Sequence, residues 1–558
     1  MDIRPLTGEL SVSPQVFAAD MGSVAAAGFR SIICNRPDGE GSDQPGYSEI
    51  EQSAAQQGLQ MRYLPAESGK VTDEQGRDFG ALMAELPKPV LAFCRTGMRS
   101  TTMWALSQSG QLPLPQIIET AARAGFDLKG VVRRIVNGGK TPVEVADATH
   151  DVVIVGGGAA GISVAASLLA RSPGLDIAII DPADIHYYQP GWTLVGGGVF
   201  EAAFTARTMA SVLPRGVHWI KSAAAAFEPE RDAVILDGCR VVKYQQLVVC
   251  PGLKLDWHGV DGLSETLGRH GVTSNYRYDL APYTWQLVQQ LQKAGGGRAV
   301  FTQPPMPIKC AGAPQKAMYL SADQWKRGGV LKDVDIQFCN AGAVLFGVAD
   351  YVPALMEYVK AYGIGLNFGQ TLVSIDGPAR QATFSQANAD GTRELITREF
   401  DMIHVVPPQK APDFIRVSPL ADAAGWVDID PATMRHKQFA NVFALGDVGN
   451  TPNAKTAAAA RKQAPVVAHN VLATRGAVKG EAQYDGYGSC PLTVERGKIV
   501  LAEFTYGGKV APSFPKWLID GTKPSTLAWY LKERILPPLY WDAMLKGREW
   551  LAQPEMVG

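Results

Sequence analysis

Gly156, Gly158 and Gly161 stand in a Gly-x-Gly-x-x-Gly frame directly after the apolar run 152–155. Twenty residues beyond Gly161, Asp181 closes a second apolar run at 177–180. That interval is what a strand-helix-strand dinucleotide site requires. Gly156 permits the tight turn, Gly158 lets the backbone approach a pyrophosphate, and Gly161 lets helix and strand pack closely. The helix N-terminus supplies N–H groups and positive dipole for the anion, and Asp181 is expected to accept the ribose hydroxyls. A membrane span is the competing reading of the uncharged run 152–170, but its glycines and the charged Arg171 and Asp176 argue against it.

A second chemical stretch is PVLAFCRTGMRS at 89–100, a strand, a short loop and a helix start, with four residues between Cys94 and Arg99. A sulfur ringed by backbone N–H groups and a guanidinium is expected to be a nucleophile. The spacing is one residue shorter than the Cys-x5-Arg cradle of tyrosine and dual-specificity phosphatases, and Phe93 stands where those usually carry His. A smaller cradle, as in rhodaneses, suits a sulfur atom better than a tetrahedral phosphate. Asp38 is a weak candidate for a general acid.

These residues need scaffolds. At 558 residues two to four domains are expected, and 46% hydrophobic with 19% charged residues indicates a globular chain. Strand-like patches at 31–34, 59–64 and 89–94 alternate with helical ones at 14–27, 47–57 and 78–86, which predicts a small α/β domain over 1–137. Residues 138–150 are polar and punctuated by Gly and Pro, and are expected to be a linker. A domain of two dinucleotide folds over 151–480 and a C-terminal α/β segment over 481–558 complete the expected α/β organisation. A net charge of −1 gives no footprint for nucleic acid. Seven cysteines and eight histidines lack metal-ligand spacing, so no metal is expected. The first residues lack a charged segment followed by an apolar one, so no export signal is read. A cytoplasmic protein is expected, with the inner face of the cytoplasmic membrane as the alternative.

Further along, the buried-type strand 244–249 ends at Cys250, and 441–445 ends at Gly446-Asp447. In two-dinucleotide flavoproteins such an aspartate contacts the ribityl chain of FAD, and the helix after it, from Lys455, points its N-terminus at the flavin. No second glycine frame follows the strand-like run 299–302, where QPPMPIKCAGAPQK puts prolines and Cys310 in the turn. NAD(P)H is thus a poor electron donor and a thiol a better one. The aromatic tail 527–548 suits either a helix pair lying on a membrane surface or one packed on its own protein.

From residue 151 onward the chain resembles the sulfide:quinone oxidoreductase family, in particular its mitochondrial-type branch. The matching stretches are HYYQPGWTLVG at 186–196, KCAGAPQK at 309–316, LFGVADY at 345–351, SPLADAAGWVDID at 418–430, NVFALGD with KTAAA at 441–459, and YDGYGSCPL at 484–492. The resemblance implies FAD, sulfide or a persulfide as substrate, a thiol as sulfur acceptor and membrane quinone as electron acceptor. It also implies that Cys310 holds a persulfide and that Lys455 lies near the flavin's pyrimidine edge. The family's second redox cysteine directly follows the Gly-Asp pair, and here that position is Val448. Either Cys250 substitutes or Cys310 works alone, on a low-molecular-weight persulfide or with a thiol partner; Cys339 is expected to be buried. The first segment, with NRPDG at 35–39, resembles the phosphatase-like family fused to persulfide-metabolising hydrolases in bacteria.

The resulting expectation is a sulfide-oxidising flavoprotein coupled to a sulfane-sulfur transfer domain. The alternatives are an NAD(P)H-using persulfide or disulfide reductase with a phosphatase domain, and a catalytically silent FAD-bearing redox sensor.

Overall fold

The structure is a computed structural model that describes residues 2–41, 44–142, 147–387 and 391–557. The chain divides into two compact units, one formed by 1–149, 223–243 and 416–419, the other by the remainder. The expected linker at 138–150 falls partly on residues 143–146, outside the described residues.

The first unit holds a five-stranded sheet in the order Arg4–Pro5, Leu10–Ser13, Val90–Phe93, Ser31–Cys34, Gln60–Tyr63. All pairings but the outermost Arg4–Pro5 are parallel. Parallel strands covered on both faces read as continuous apolar runs, and all four residues of Val90–Phe93 are buried. Their side chains alternate as strand geometry demands. Val90 and Ala92 join Phe79, Met103 and Trp104 on one face, whereas Leu91 and Phe93 join Met21, Val24 and Ile50 on the other. The helix expected over 78–86 is Asp73–Glu85, set five residues earlier by a capping box in which Thr72 and Gln75 exchange hydrogen bonds. The helix expected over 14–27 shortens to Met21–Ala26.

The second unit contains two parallel sheets. In the first, Val217–Ile220, Ile177–Ile180, Ala148–Val155 and Val241–Val249 lie side by side, and Val442–Ala444 pairs with the last of these. In the second, the order is Val272–Thr273, Met402–His404, Gly297–Gln303, Val334–Asn340, Gly365–Phe368. This doubly wound arrangement, with helices following the strands, places ligands at the carboxyl ends of the strands. The hairpin Gly488–Glu495 with Lys498–Phe504 packs its buried face on the helix Ala313–Arg327.

Candidate active site

The glycine frame follows the strand Ala148–Val155 and opens the helix Ala159–Arg171. Gly156 has φ +110°, and a Cβ there would stand 2.5 Å from the Cys250 carbonyl oxygen. At Gly161 a Cβ would lie 1.8 Å from the Gly156 oxygen, so both positions exclude any side chain. Gly158 differs, because nothing stands within 4 Å of where its Cβ would be. It leaves an open cradle before a helix of thirteen residues, which an anion can approach along the backbone. Asp181 accepts hydrogen bonds from the N–H of Gly157 at 2.6 Å and of Ala183 at 2.8 Å, which brings it onto the loop.

Cys250 packs behind this loop. Its thiol is buried, donates to the Gly156 carbonyl at 3.6 Å, and is pushed far up from the ordinary thiol range by burial. The structure does not bring it to Cys310, so as a substitute redox partner Cys250 is corrected: its contacts are those of a packing residue. Cys339 is likewise buried, and burial pushes its thiol up to about 12.

Cys310 stands in the loop between the strand Gly297–Gln303 and the helix Ala313–Arg327, where the sequence put a proline-rich turn in place of a second glycine frame. It adopts φ +48°, a left-handed conformation that a residue with a Cβ takes only at a cost of roughly 1 to 2 kcal/mol. Three hydrogen bonds hold it there. Its N–H donates to the Lys455 carbonyl at 2.8 Å, its carbonyl accepts from the Ala313 N–H at 2.7 Å, and the Tyr276 hydroxyl donates to it at 3.2 Å. Cys310 as a residue is half-buried, and its sulfur accepts from the Lys316 ammonium at 3.2 Å. The other neighbour of this sulfur is Cys490, whose Sγ lies 3.8 Å away. With the Cys490 S–H donated to it, and Lys316 beside it outweighing burial, the Cys310 thiol is held well below its usual range. The same contact, with burial, raises Cys490 well above it.

Cys490 is the residue that sequence reasoning missed. It was quoted within YDGYGSCPL but given no role, since 180 positions separate it from Cys310 and only the pairing of hairpin and helix brings them together. Lys532, from the aromatic tail, is also buried here and donates to the Pro190 carbonyl at 2.9 Å. Burial and the like charge of Lys316 pull it down to about 7. The tail is further docked by Tyr540, whose hydroxyl is 2.6 Å from His186 Nε2.

Around the Gly-Asp turn, burial raises the Asp447 carboxyl. Val448 is fully buried. Lys455 donates to the Asp447 and Gly449 carbonyls, both at 2.7 Å, and burial pulls it down to about 8. Thr456 caps the helix Ala457–Thr474 by accepting the Ala459 N–H.

These residues fit a dinucleotide flavin. The cradle at Gly158 is open, and Trp192 Nε1 and both amide atoms of Asn275 are buried without a protein partner among the described residues. Gly156, Gly158, Gly161 and Asp181 would hold the adenosine and pyrophosphate, and Asp447 and Lys455 the flavin end. Bound there, FAD supplies two-electron redox chemistry.

In the first unit, Cys94 follows the central strand, and its buried sulfur accepts the Gly97 N–H at 3.1 Å. Gly97, at φ +91°, turns the chain into the helix Met98–Ser107. Arg99 is buried and already engaged, donating to the Ala66 carbonyl at 2.6 Å and to Glu40 at 2.8 Å. Arg36 donates to the same Glu40 oxygen at 2.7 Å, so one carboxylate joins two guanidinium groups. Glu40 and Arg36 were not anticipated, because nothing in their spacing points at residue 94. Asp38 instead accepts the Tyr47 N–H at the start of the helix Tyr47–Gln56.

One group of possible metal donors escaped the spacing argument, since two of its members lie on separate strands and the third just before the strand between them. His150, Asp176 and His218 place donor atoms within 4.8 Å of one another. Asp176 is 3.0 Å from His150 Nδ1 and 3.5 Å from His218 Nε2, so the carboxylate already serves both rings.

Comparison with known proteins follows the same division. The phosphatase-like domain of beta-lactamase hydrolase-like proteins matches residues 2–111, and the pyridine nucleotide-disulphide oxidoreductase family matches 150–297. The beta-lactamase hydrolase-like protein of Agrobacterium fabrum is 34% identical over 126 residues, 22% of this chain and 29% of that protein. The mitochondrial sulfide:quinone oxidoreductase of Dictyostelium discoideum is 41% identical over 399 residues, 71% of this chain and 86% of that protein. The solved sulfide:quinone oxidoreductase of Aquifex aeolicus superimposes with a TM-score of 0.60 at 19% identity, over 73% of this chain and 97% of that one, and shares the fold. The mitochondrial and eukaryotic setting of the Dictyostelium enzyme overturns the expectation of a cytoplasmic protein, and a bacterial setting is not supported. The opening residues spoke only against an export signal, which says nothing of other compartments. A flavin-binding frame, a thiol on a strained turn beside a lysine, and identity along most of the second unit lead to one conclusion: the chain belongs to the sulfide:quinone oxidoreductase family, as an FAD-dependent oxidoreductase with a phosphatase-like domain at its amino terminus.

Proposed function

We propose that the second unit oxidises sulfide, passes the sulfane sulfur to a thiol and delivers two electrons through FAD to quinone. The observation that carries this reading is the sulfur of half-buried Cys310, 3.2 Å from the Lys316 ammonium. An ammonium beside a thiol favours thiolate, the form that takes part in sulfur exchange. Anaerobic sulfide should bleach the flavin of the wild type and not that of Cys310→Ala, and a soluble quinone should restore the colour. Equal bleaching in both proteins would remove Cys310 from the reaction.

The tail supports a peripheral membrane contact as the route to quinone. Trp517, Leu527, Tyr530 and Ile535 are 84%, 52%, 57% and 45% exposed, while Lys532 and Tyr540 anchor the segment from its other side. No helix among the described residues is long and apolar enough to cross a membrane. Co-sedimentation with lipid vesicles, lost when Trp517 and Leu527 are changed to Ser, tests this contact.

For the first unit we propose sulfane-sulfur transfer by Cys94. Support comes from the short Cys-x4-Arg loop and from the Gly97 N–H aimed at the sulfur. Thiosulfate or persulfide transfer without aryl-phosphate hydrolysis is expected. The reverse pattern would make this unit a phosphatase.

A further inference from the structure

The first parallel sheet carries the glycine frame at the carboxyl ends of its strands and a second group of chemical side chains at their amino ends. His150 lies on the strand Ala148–Val155, Asp176 directly precedes Ile177–Ile180, and His218 is on Val217–Ile220. All three belong to the second unit. Ile177 pairs with both Val152 and Val217, so Asp176 enters the sheet between the two strands that bear the histidines. We propose that His150, Asp176 and His218 bind one divalent transition ion of the zinc class, which ties these three strands together.

The donor set selects the ion. Two imidazole nitrogens and a carboxylate oxygen suit a borderline ion such as Zn²⁺, whereas Mg²⁺ and Ca²⁺ are taken by oxygen ligands. Ligand atoms about 2.0 to 2.1 Å from a tetrahedral zinc stand about 3.4 Å from one another. His150 Nδ1 is 3.0 Å and His218 Nε2 3.5 Å from the same atom, Asp176 Oδ1, and the donor atoms of the group all lie within 4.8 Å of one another. The edge between the rings therefore closes by at most about 1.4 Å on binding. The His218 side chain, 66% exposed, has room to make that adjustment.

The surroundings hold the carboxylate in place. The Asp176 N–H donates to Asp151 Oδ2 at 3.2 Å, and the Asp176 carbonyl accepts the Val152 N–H at 3.0 Å. Arg475 donates to the other Asp151 oxygen at 2.9 Å, which balances that neighbouring charge. An ion pair needs only one histidine, yet a second ring converges on the same oxygen, with its centroid 5.3 Å from that of the first. The His150 side chain is 11% exposed and that of Asp176 41%, so the group opens outward through His218 and leaves a fourth position for water. Six residues of one strand, at about 3.3 Å each, put His150 about 20 Å from Gly156. The ion thus acts on the stability of the sheet and not on the sulfur chemistry.

The test uses the full-length FAD-loaded protein, stripped with EDTA and dialysed against zinc chloride, with magnesium chloride for comparison. The wild type is expected to retain one zinc per chain at this group and to melt at least about 2 °C higher with it, and magnesium should do neither. His218→Ala, at an exposed position, should keep the flavin spectrum and the metal-free melting temperature while its zinc affinity falls by at least about tenfold. Asp176→Asn, which keeps the shape and removes the charge, should lose zinc in the same way. A wild type that retains no zinc, or one whose zinc affinity is matched by His218→Ala, would overturn the proposal. Magnesium raising the melting temperature as far as zinc does would overturn the class of ion. Sulfide bleaching of the flavin is expected to be the same in wild type and His218→Ala, so the fate of this site is read separately from that of the sulfide-oxidising reaction.

Discussion

The backbone N–H of Cys310 donates to the carbonyl of Lys455 at 2.8 Å. This one bond fastens the Cys310 turn, after the strand Gly297–Gln303, to the segment that starts the helix Ala457–Thr474. Lys455 in turn holds the Gly-Asp turn through its ammonium, so the turns that carry Cys310 and Asp447 are referenced to the same short stretch of chain.

Lys316 should therefore set the reactivity of Cys310. Changing Lys316→Met is expected to raise the pH midpoint of Cys310 alkylation by at least about one unit, equivalent to roughly 1.4 kcal/mol less stabilisation of the thiolate. Iodoacetamide kinetics followed by peptide mapping measure it. An unchanged midpoint would mean that the Cys490 S–H alone determines the thiolate.

Lys532 predicts a pH dependence of stability. Burial and the like charge of Lys316 pull its ammonium down to about 7 in the folded protein, from the ordinary lysine range. Between those limits the unfolded chain binds the proton that the folded one has lost, so this residue makes stability rise with pH, by at most about 1.4 kcal/mol per pH unit. Urea midpoints at pH 7.5 and 9.5, compared between wild type and Lys532→Met, should show the rise diminished in the variant.

The glycine frame separates binding from folding. Gly158→Ala has open space for its methyl and should leave the melting temperature of the FAD-free protein within a degree or so while weakening FAD retention. Gly161→Ala drives a methyl against the Gly156 oxygen and should lower the melting temperature with or without cofactor. Thermal melts with and without added FAD distinguish the two.

In the first unit, Glu40 engages both Arg99 and Arg36, where an anionic substrate would compete with it. Glu40→Gln should accelerate modification of Cys94 by iodoacetate, an anion, by about tenfold relative to neutral iodoacetamide. The same ratio in wild type and variant would show that the carboxylate does not obstruct the loop.

Removing the Tyr540 hydroxyl should leave buried His186 Nε2 without its partner. Tyr540→Phe is expected to cost about 1 to 3 kcal/mol in denaturant unfolding. A loss near zero would indicate that the tail is held by its apolar contacts alone.

Much of this was legible because the signals are local. The frame Gly156 to Asp181 needs only one strand, one helix and their spacing, and Cys94 with Arg99 needs only one turn. The strand Ser31–Cys34 was read to the residue, because a continuous apolar run between polar stretches has few other homes. What stayed hidden depends on tertiary packing. Cys490 reads as one more half-buried strand residue until its hairpin is laid against the helix Ala313–Arg327, and Cys250 looks available until the glycine loop covers it. Glu40 reaches Arg99 across 59 positions of sequence, a distance that no periodicity reports.

The separation of Cys310 from Cys490 along the chain, 180 positions, carries a last consequence. A covalent tie across so long a loop would deprive the unfolded chain of entropy worth about 5 kcal/mol. Tied and untied forms of the protein would then melt at different temperatures, and a simple calorimetric scan would count the share of molecules in each.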